Sequence, residues 1–312
     1  MGLSADAWST TCMVISTIRQ VGTEAQKREY IGAALRGEVL IALGYSEPDS
    51  GSDVASAKTA AVRDGDEWVI NGAKRFNSGL HSATHDIIFA RTSGQPGQPV
   101  GISAFLVPTD APGFDVPFMW WTFNMPTDHA EVTLTDVRVP GDAVFGEVDG
   151  GLALAQHFVH ENRIRQAASG VGVAQYCIDQ AVAYARSRIT FGKPLASNQA
   201  IQFPLAELHT ECEMIRTLVY KTAWDLDRHH HLEVSDRVSM CNYRANRLAC
   251  EAADRAMQVH GGLGYSRHMP FEHIYRHHRR YRITEGSEEI QIRRVAGRLF
   301  GFTGQKAASA SS

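Results

Sequence analysis

Apolar residues recur with different spacings along the chain, and each spacing predicts a different kind of element. Residues 1–38 follow helical spacing, with Met13, Ile15 and Ile18 toward one face. Residues 39–148 contain short β-rich runs separated by Gly, Pro and Asp. Such regular punctuation predicts a compact antiparallel β-barrel or sandwich.

The remainder of the chain, residues 149–301, returns to helical spacing. Val238, Cys241 and Ala245 recur at intervals of three and four, as the buried face of a helix requires. Long helical runs with small residues and short connections predict an antiparallel bundle of about four helices. The Ala/Ser-rich tail, residues 302–312, is predicted to be disordered.

Composition is that of an ordinary enzyme of two domains. The 312 residues are 44% hydrophobic and 21% charged, which suffices for a sizeable core. A net charge of -3 means that the chain has no excess of positive charge with which to bind nucleic acid or an anionic membrane. The five cysteines form no CxxC pair, which favours a reducing compartment, cytoplasmic or, in a eukaryote, the mitochondrial matrix. With no signal-peptide pattern and no apolar run long enough for membrane insertion, we expect a soluble, unprocessed chain.

Common nucleotide and metal signatures are absent from the sequence. Gly170-Val171-Gly172 follows a helical pattern and lacks the third glycine of a dinucleotide fingerprint. The pairs His81/His85 and His273/His277 have helical chelate spacing but no identifiable third ligand. His229-His230-His231 lies in a polar turn, where consecutive side chains are expected to diverge. We therefore expect no metal site.

Glu285, directly before Gly286 and a helical segment, is the strongest candidate for a base. A carboxylate at such a junction can lie against a ligand. The alternative is helix-end chemistry, in which Ser287 caps the helix while Glu288 and Glu289 favour the positive end of its dipole.

Four further polar segments are candidates for ligand binding. Residues 47–53 could offer backbone N–H groups and hydroxyls to a phosphate or a heteroaromatic ring. Residues 71–79 begin as a hairpin and continue into an aromatic and polar stretch. Residues 188–194 form a cationic helix end, and residues 258–264 a glycine-rich break that helix termination also explains.

Taken in this order, the segments resemble the acyl-CoA dehydrogenase family of flavoproteins, over residues 39–301. The resemblance implies an α+β fold, with a central β domain, a C-terminal four-helix domain and FAD between them and a neighbouring subunit. Residues 1–38 would be the last part of an N-terminal helical domain. It also implies a homodimer, a homotetramer or a hetero-oligomer.

Residue by residue, the resemblance implies a flavin site in the β domain. Ser46 and Ser52 take the places of hydroxyls that contact the flavin, with Ser52 also reaching CoA, and Leu43 opens the same loop. Phe76-Asn77-Ser78 matches a Trp-aliphatic-Thr/Ser stretch in which Asn77 is unusual. The remaining implied FAD contacts, several of them from the neighbouring subunit, are Arg188, Thr190, Asn198, Gln199, Gln258, His260, Gly261, Gly262, Ser287 and Glu289.

The resemblance also implies the substrate site. Arg163 and Gly286 match positions near the substrate, and His160 stands where many relatives carry an acidic residue. Some branches place the catalytic carboxylate at the position of Asn162, which cannot abstract a proton. Glu285 occupies the other family position for the base.

The implied activity is α,β-dehydrogenation of an acyl-CoA thioester to a trans-2-enoyl-CoA. Glu285 would remove the α proton, flavin N5 would accept the β hydrogen as hydride, and an electron-transferring flavoprotein would receive the electrons. An acyl-CoA oxidase is one alternative. A non-catalytic subunit is another, because the N-terminal helices that wall the acyl pocket in relatives are mostly absent from residues 1–38.

Overall fold

The computed structural model describes residues 5–124 and 129–302. It contains two compact units, Met1–Phe158 and Val159–Ser312, here called the sheet unit and the helical unit. The predicted disordered tail lies, from residue 303 onward, outside the described residues. The domain boundaries predicted after residues 38 and 148 stay predictions.

Helical segments precede the strands of the sheet unit. They are α1 (Ala5–Val21), α2 (Glu24–Gln26), a π-helical turn at Lys27–Ile31, and α3 (Gly32–Leu35). Thr23 and Gln26 form a reciprocal capping box at the start of α2. The hydroxyl of Thr11 accepts a hydrogen bond from the backbone N–H of Ile41 at 2.9 Å, which ties α1 to the first strand.

In the described part of the chain, eight strands form one sheet. They are β1 (Ile41–Gly44), β2 (Ala60–Asp64), β3 (Glu67–Ser78), β4 (His85–Arg91), β5 (Ile102–Pro108), β6 (Phe114–Trp120), β7 (His129–Pro140) and β8 (Val144–Phe145). Their order is β6-β7-β3-β2-β4-β5-β8, with β1 on β4. The pairing is antiparallel except for β1–β4 and β2–β4, which are parallel because long connections separate those strands. The α+β class is confirmed, and the sheet is mixed rather than wholly antiparallel.

The helical unit contains the long helices. They are α4 (Gly151–Ser187), α5 (Gln199–Leu226), α6 (Ser235–His260), α7 (Gly262–Tyr265), α8 (Phe271–Arg279) and α9 (Glu288–Leu299), with a hairpin of β9 (Ile189–Thr190) and β10 (Lys193–Pro194) after α4. The predicted apolar face of α6 is confirmed, because Val238, Cys241 and Ala245 are fully buried. A Cβ at Gly170 would lie 2.9 Å from the carbonyl oxygen of Ala245, so this glycine permits close packing of α4 and α6. No helix among residues 5–124 and 129–302 is apolar over the length that a bilayer requires.

Candidate active site

Glu285 lies in the turn before α9 with a backbone conformation that long side chains rarely adopt. Its φ is 60° and that of Gly286 is 89°. Arg163 on α4 stabilises this turn, since Nε, at 2.9 Å, and Nη2 both donate to the Glu285 carbonyl oxygen. Gln291 adds a third donor at 3.2 Å. A Cβ at position 286 would lie 2.9 Å from Nη2 of Arg163, so this contact requires glycine after Glu285.

The Glu285 carboxyl group is asymmetrically hydrogen-bonded. Asn162 donates to Oε1, and Arg165 in turn donates from Nε to the Asn162 amide oxygen at 3.2 Å. The other oxygen, Oε2, is buried and has no hydrogen-bond partner within the described residues. Burial raises the pKa of Glu285 to about 7, although the charge of Arg163 and the hydrogen bond from Asn162 act in the opposite direction. The carboxyl is therefore suited to gain or lose a proton near neutral pH.

Helix-end chemistry accounts for only part of the segment after Glu285, in that Glu288 and Glu289 lie in the first turn of α9. Ser287 occupies the N-cap position, but its side chain makes no capping hydrogen bond, which corrects that expectation. Glu288 instead pairs with Arg282 at 2.8 Å and with Arg247 at 3.1 Å. Hydrogen bonds from these two arginines, Arg282 first, lower the pKa of Glu288 to about 2. Ion pairs and the Arg163 contact stabilise this turn without the serine cap.

His160 is buried, and its predicted role as a substrate contact stays a prediction. Its Nε2 lies 2.9 Å from Nη1 of Arg294, and its Nδ1 lies 2.9 Å from Nδ1 of His231. Because arginine only donates, Nε2 accepts and Nδ1 carries the proton toward His231. The rings of His230 and His231 lie 4.4 Å apart, so the turn histidines converge rather than diverge. No group of three or more metal-ligating side chains occurs in the described part of the chain.

In the sheet unit, the two segments predicted to line the flavin lie side by side. The backbone N–H of Arg75 donates to the carbonyl of Ser46 at 2.9 Å, and Lys74 pairs with Glu47 at 2.8 Å. Ser46 is half-buried and Ser52 exposed. The loop after β1, which half-buried Leu43 precedes, and the end of β3 are thus neighbours in the sheet unit.

The three residues at the end of β3 have different environments. Phe76 has a φ of 63°, and its half-exposed ring lies 5.5 Å from that of Trp120, which suits the predicted aromatic wall. Ser78 Oγ lies 2.9 Å from Nδ1 of His129. Asn77 is fully buried and its amide donates to Asp86, while its predicted contact with the flavin stays a prediction.

In the helical unit, the predicted FAD segments at the ends of α4 and α6 lie together. The ring of Tyr184 stacks on that of His260 at 4.3 Å, one turn before Arg188. His260 is buried and its ring also contacts that of Phe271, so the ring packs in the core, and its predicted contact with FAD stays a prediction. The side chains in this region that are exposed or half-exposed and remain candidate ligands are Arg188, Thr190, Asn198, Gln199 and Gln258.

The candidate base and the candidate FAD-binding residues lie near different parts of α4. Arg163 and Ser187 are separated along α4 by about 36 Å, at 1.5 Å per residue. Glu285 lies at the first end and Arg188 at the second. Along α4, the residue that contacts Glu285 is thus far from Arg188.

Backbone strain concentrates in the candidate segments. Among the described residues, five non-glycine residues have a positive φ: Phe76, Asp136, Asp149, Phe191 and Glu285. Phe76, Phe191 and Glu285 belong to segments singled out from the sequence. Such strain persists where function or packing requires it, and no turn preference accounts for it at two phenylalanines.

Sequence reasoning missed several residues that support Glu285. Gln291 donates to the Glu285 carbonyl oxygen, Arg165 donates to Asn162, and Asn242 on α6 donates to the carbonyl oxygen of Arg163 at 3.2 Å. Arg165 follows Asn162 by three residues on one helix, a spacing that could have indicated the contact. Asn242 is a polar residue on the buried face of α6. A polar residue within an apolar helical repeat could have indicated this contact from the sequence.

Comparisons with known proteins agree on one family. The model of the acyl-CoA dehydrogenase middle domain matches residues 42–137, and that of the acyl-CoA dehydrogenase C-terminal domain matches residues 149–300. An acyl-CoA dehydrogenase of Bacillus subtilis is 34% identical over 94% of this chain and 77% of its own length. The short-chain specific mitochondrial acyl-CoA dehydrogenase of Bos taurus is 34% identical over 92% of this chain and 69% of its own. The structure of butyryl-CoA dehydrogenase from Megasphaera elsdenii matches with a TM-score of 0.85 and 30% identity, over 95% of this chain and 78% of that one.

Proposed function

Because the chain belongs to the acyl-CoA dehydrogenase family, whose members bind FAD, we propose that it dehydrogenates an acyl-CoA thioester with Glu285 as the base. The observation that carries this proposal is the Glu285 carboxyl group. One oxygen of this group is buried and has no donor among the described residues, and the pKa of the group is raised to about 7. A base with a pKa near neutral pH is ionised in a substantial fraction of the molecules, and it still binds a proton strongly enough to remove one from the substrate.

The residues around Glu285 divide the proton-transfer task. Oε2 accepts the α proton, while Asn162 keeps Oε1 oriented by its hydrogen bond. Arg163 holds the Glu285 backbone in one conformation before the reaction begins. The reaction therefore does not have to bear the entropic cost of ordering the carboxyl group. FAD, when bound, supplies N5 as acceptor of the β hydrogen with its electron pair. The thioester then carries a trans double bond between Cα and Cβ, and we propose that an electron-transferring flavoprotein receives the two electrons.

The donor set of the chain fits FAD. The half-exposed ring of Phe76 offers an apolar face to a planar ring system, and Ser46, Ser52 and Ser78 lie in the adjoining polar segments. Arg188 is an exposed cation suited to a phosphate. Since Arg188 lies far along α4 from Glu285, we propose that a second copy of the chain supplies it, in a homodimer or homotetramer.

The test of the proposed function is the visible spectrum of the FAD-loaded chain, mixed without oxygen with a panel of acyl-CoAs. Bleaching of the flavin band by at least one acyl-CoA is expected. Slow return of colour on admitting air supports a dehydrogenase, and rapid return would instead indicate an oxidase. No bleaching by any member, with FAD bound, would count against the proposal.

Arg188→Ala is expected to weaken FAD binding about ten- to a hundredfold, the usual cost of losing a hydrogen bond to a charged group. The flavin-to-protein ratio after gel filtration measures this loss. Arg186→Ala removes an exposed arginine from the last turn of α4 and is the matched control. Equal ratios for the two variants would refute the role of Arg188.

A further inference from the structure

Four polar side chains are buried together in the sheet unit. Lys74, Asn77 and Asp86 are fully buried, and Glu47 is 7% exposed. Lys74 and Asn77 belong to β3, Asp86 to β4, and Glu47 to the segment after β1. Buried ionisable groups are costly unless paired, so their protonation states can be argued from their partners.

Glu47 and Lys74 form a complete pair. Nζ of Lys74 donates to Oε1 of Glu47 at 2.8 Å, and the backbone N–H groups of Lys58 and Thr59 donate to the same carboxylate at 2.6 and 3.0 Å. Burial alone would raise the pKa of Glu47, but the charge and hydrogen bond of Lys74 hold it below its ordinary value. This ion pair is neutral overall, so Glu47 already compensates the charge of Lys74.

Asp86 and Asn77 form an incomplete pair. The Asn77 amide nitrogen donates to Oδ2 of Asp86, and the backbone N–H of Gly44 also donates to this carboxyl. The other two oxygens, Oδ1 of Asp86 and Oδ1 of Asn77, are buried and have no hydrogen-bond partner within the described residues. Two acceptors do not bond each other. A single proton on Asp86 would make its Oδ1 a donor, and the Asn77 amide, already bonded to the same carboxyl group through its nitrogen, offers an oxygen that lacks a donor within the described residues.

The surroundings of Asp86 favour that proton. Burial raises the pKa of Asp86 to about 7, against the opposing effects of the Asn77 hydrogen bond and the charge of Lys74. The charged groups facing it are Lys74 from β3 and, beyond it, Glu47 from the segment after β1. From β5 the residue paired with Asp86 is the apolar Val107. With Asp86 neutral, the four side chains carry no net charge.

We propose that Asp86 is held as a neutral carboxylic acid in a two-way hydrogen-bonded pair with Asn77, and that its ionisation lowers the reduction potential of the bound flavin. The second half of this inference rests on the proposed function. Asp86 contacts Gly44 and Asn77, which belong to the two segments assigned to the flavin. A negative charge in a buried site is weakly screened and disfavours the arrival of electrons nearby. Asp86 is thus a positioning residue that acts on the reduction potential of the flavin. The amide oxygen of Asn77 accepts the hydrogen bond from its protonated carboxyl group.

The first experiment tests the acid–amide pair without reference to the flavin. Infrared spectra of the full chain with 13C-labelled aspartate carboxyl groups are recorded across the pH range. We expect a protonated-carboxyl band that disappears as the pH rises through about 7. The band should be absent in Asp86→Asn and present in Asp115→Asn, whose carboxyl is exposed on β6. Aspartate labelling separates this signal from Glu285. Absence of the band in the unsubstituted chain would overturn the proposal.

The second experiment tests the coupling to the flavin. The reduction potential of the FAD-loaded chain is titrated against pH for the unsubstituted protein and for Asp86→Asn. A steeper fall of the potential around pH 7 in the unsubstituted protein is expected, and parallel curves would overturn the coupling. Failure to bind FAD would contradict the proposed function instead and leave the infrared result standing. If Asp86→Asn does not fold, the double variant Asn77→Leu/Asp86→Leu replaces both partners by apolar groups and should likewise lack the band and the steeper slope.

Discussion

Glu285→Gln is expected to slow flavin bleaching by acyl-CoA about 10²–10⁴-fold, the usual contribution of a general base. The amide keeps the shape of the side chain but has little affinity for the α proton. FAD content should not change, because the Arg163 contact with residue 285 is to the backbone carbonyl. Stopped-flow absorbance under anaerobic conditions measures the rate.

The control for this substitution is Glu251→Gln, an exposed glutamate on α6. In the unsubstituted protein the bleaching rate should rise with pH through about 7, because only the ionised form of Glu285 accepts a proton. Bleaching of Glu285→Gln at the unsubstituted rate would show that the base lies elsewhere.

Lys74→Met is expected to lower the free energy of unfolding by about 3–5 kcal/mol, since it leaves the Glu47 carboxylate buried without its cation. Lys74 is fully buried and lies 2.8 Å from Glu47. Urea denaturation followed by circular dichroism measures the loss as a lower midpoint at an unchanged slope.

Lys58→Met is the matched control, because it removes a lysine that pairs with Asp49 at the surface, with 68% and 76% of the two side chains exposed. A surface pair of this kind contributes about 0–1 kcal/mol. Equal midpoints for the two variants would contradict the structural role assigned to Lys74.

Local patterns predicted the elements well where one face of an element is buried. The apolar repeat of α6 was read from spacing alone, because a helix presents every third or fourth residue to the same neighbour. Local patterns failed where distant groups intervene. The Ser287 cap was a sound expectation from local chemistry, but Arg247 and Arg282 bind the adjacent Glu288 instead. The histidine turn was expected to diverge, and His160, far away in the sequence, contacts His231.

By itself, the sequence determined the α+β class, the family and the choice of Glu285 over Asn162 as the candidate base, because these depend on residue types and their order. Only the tertiary structure decided how Glu285 is held. The Arg163 contact with its carbonyl joins residues more than 100 positions apart, and its carboxyl is buried with no donor to Oε2 among the described residues. Only the tertiary structure, likewise, brings Asn77 to Asp86, so that the amide of this unusual asparagine is hydrogen-bonded to a buried carboxyl group. Burial and long-range hydrogen bonds set a pKa, and neither can be read from neighbours along the chain.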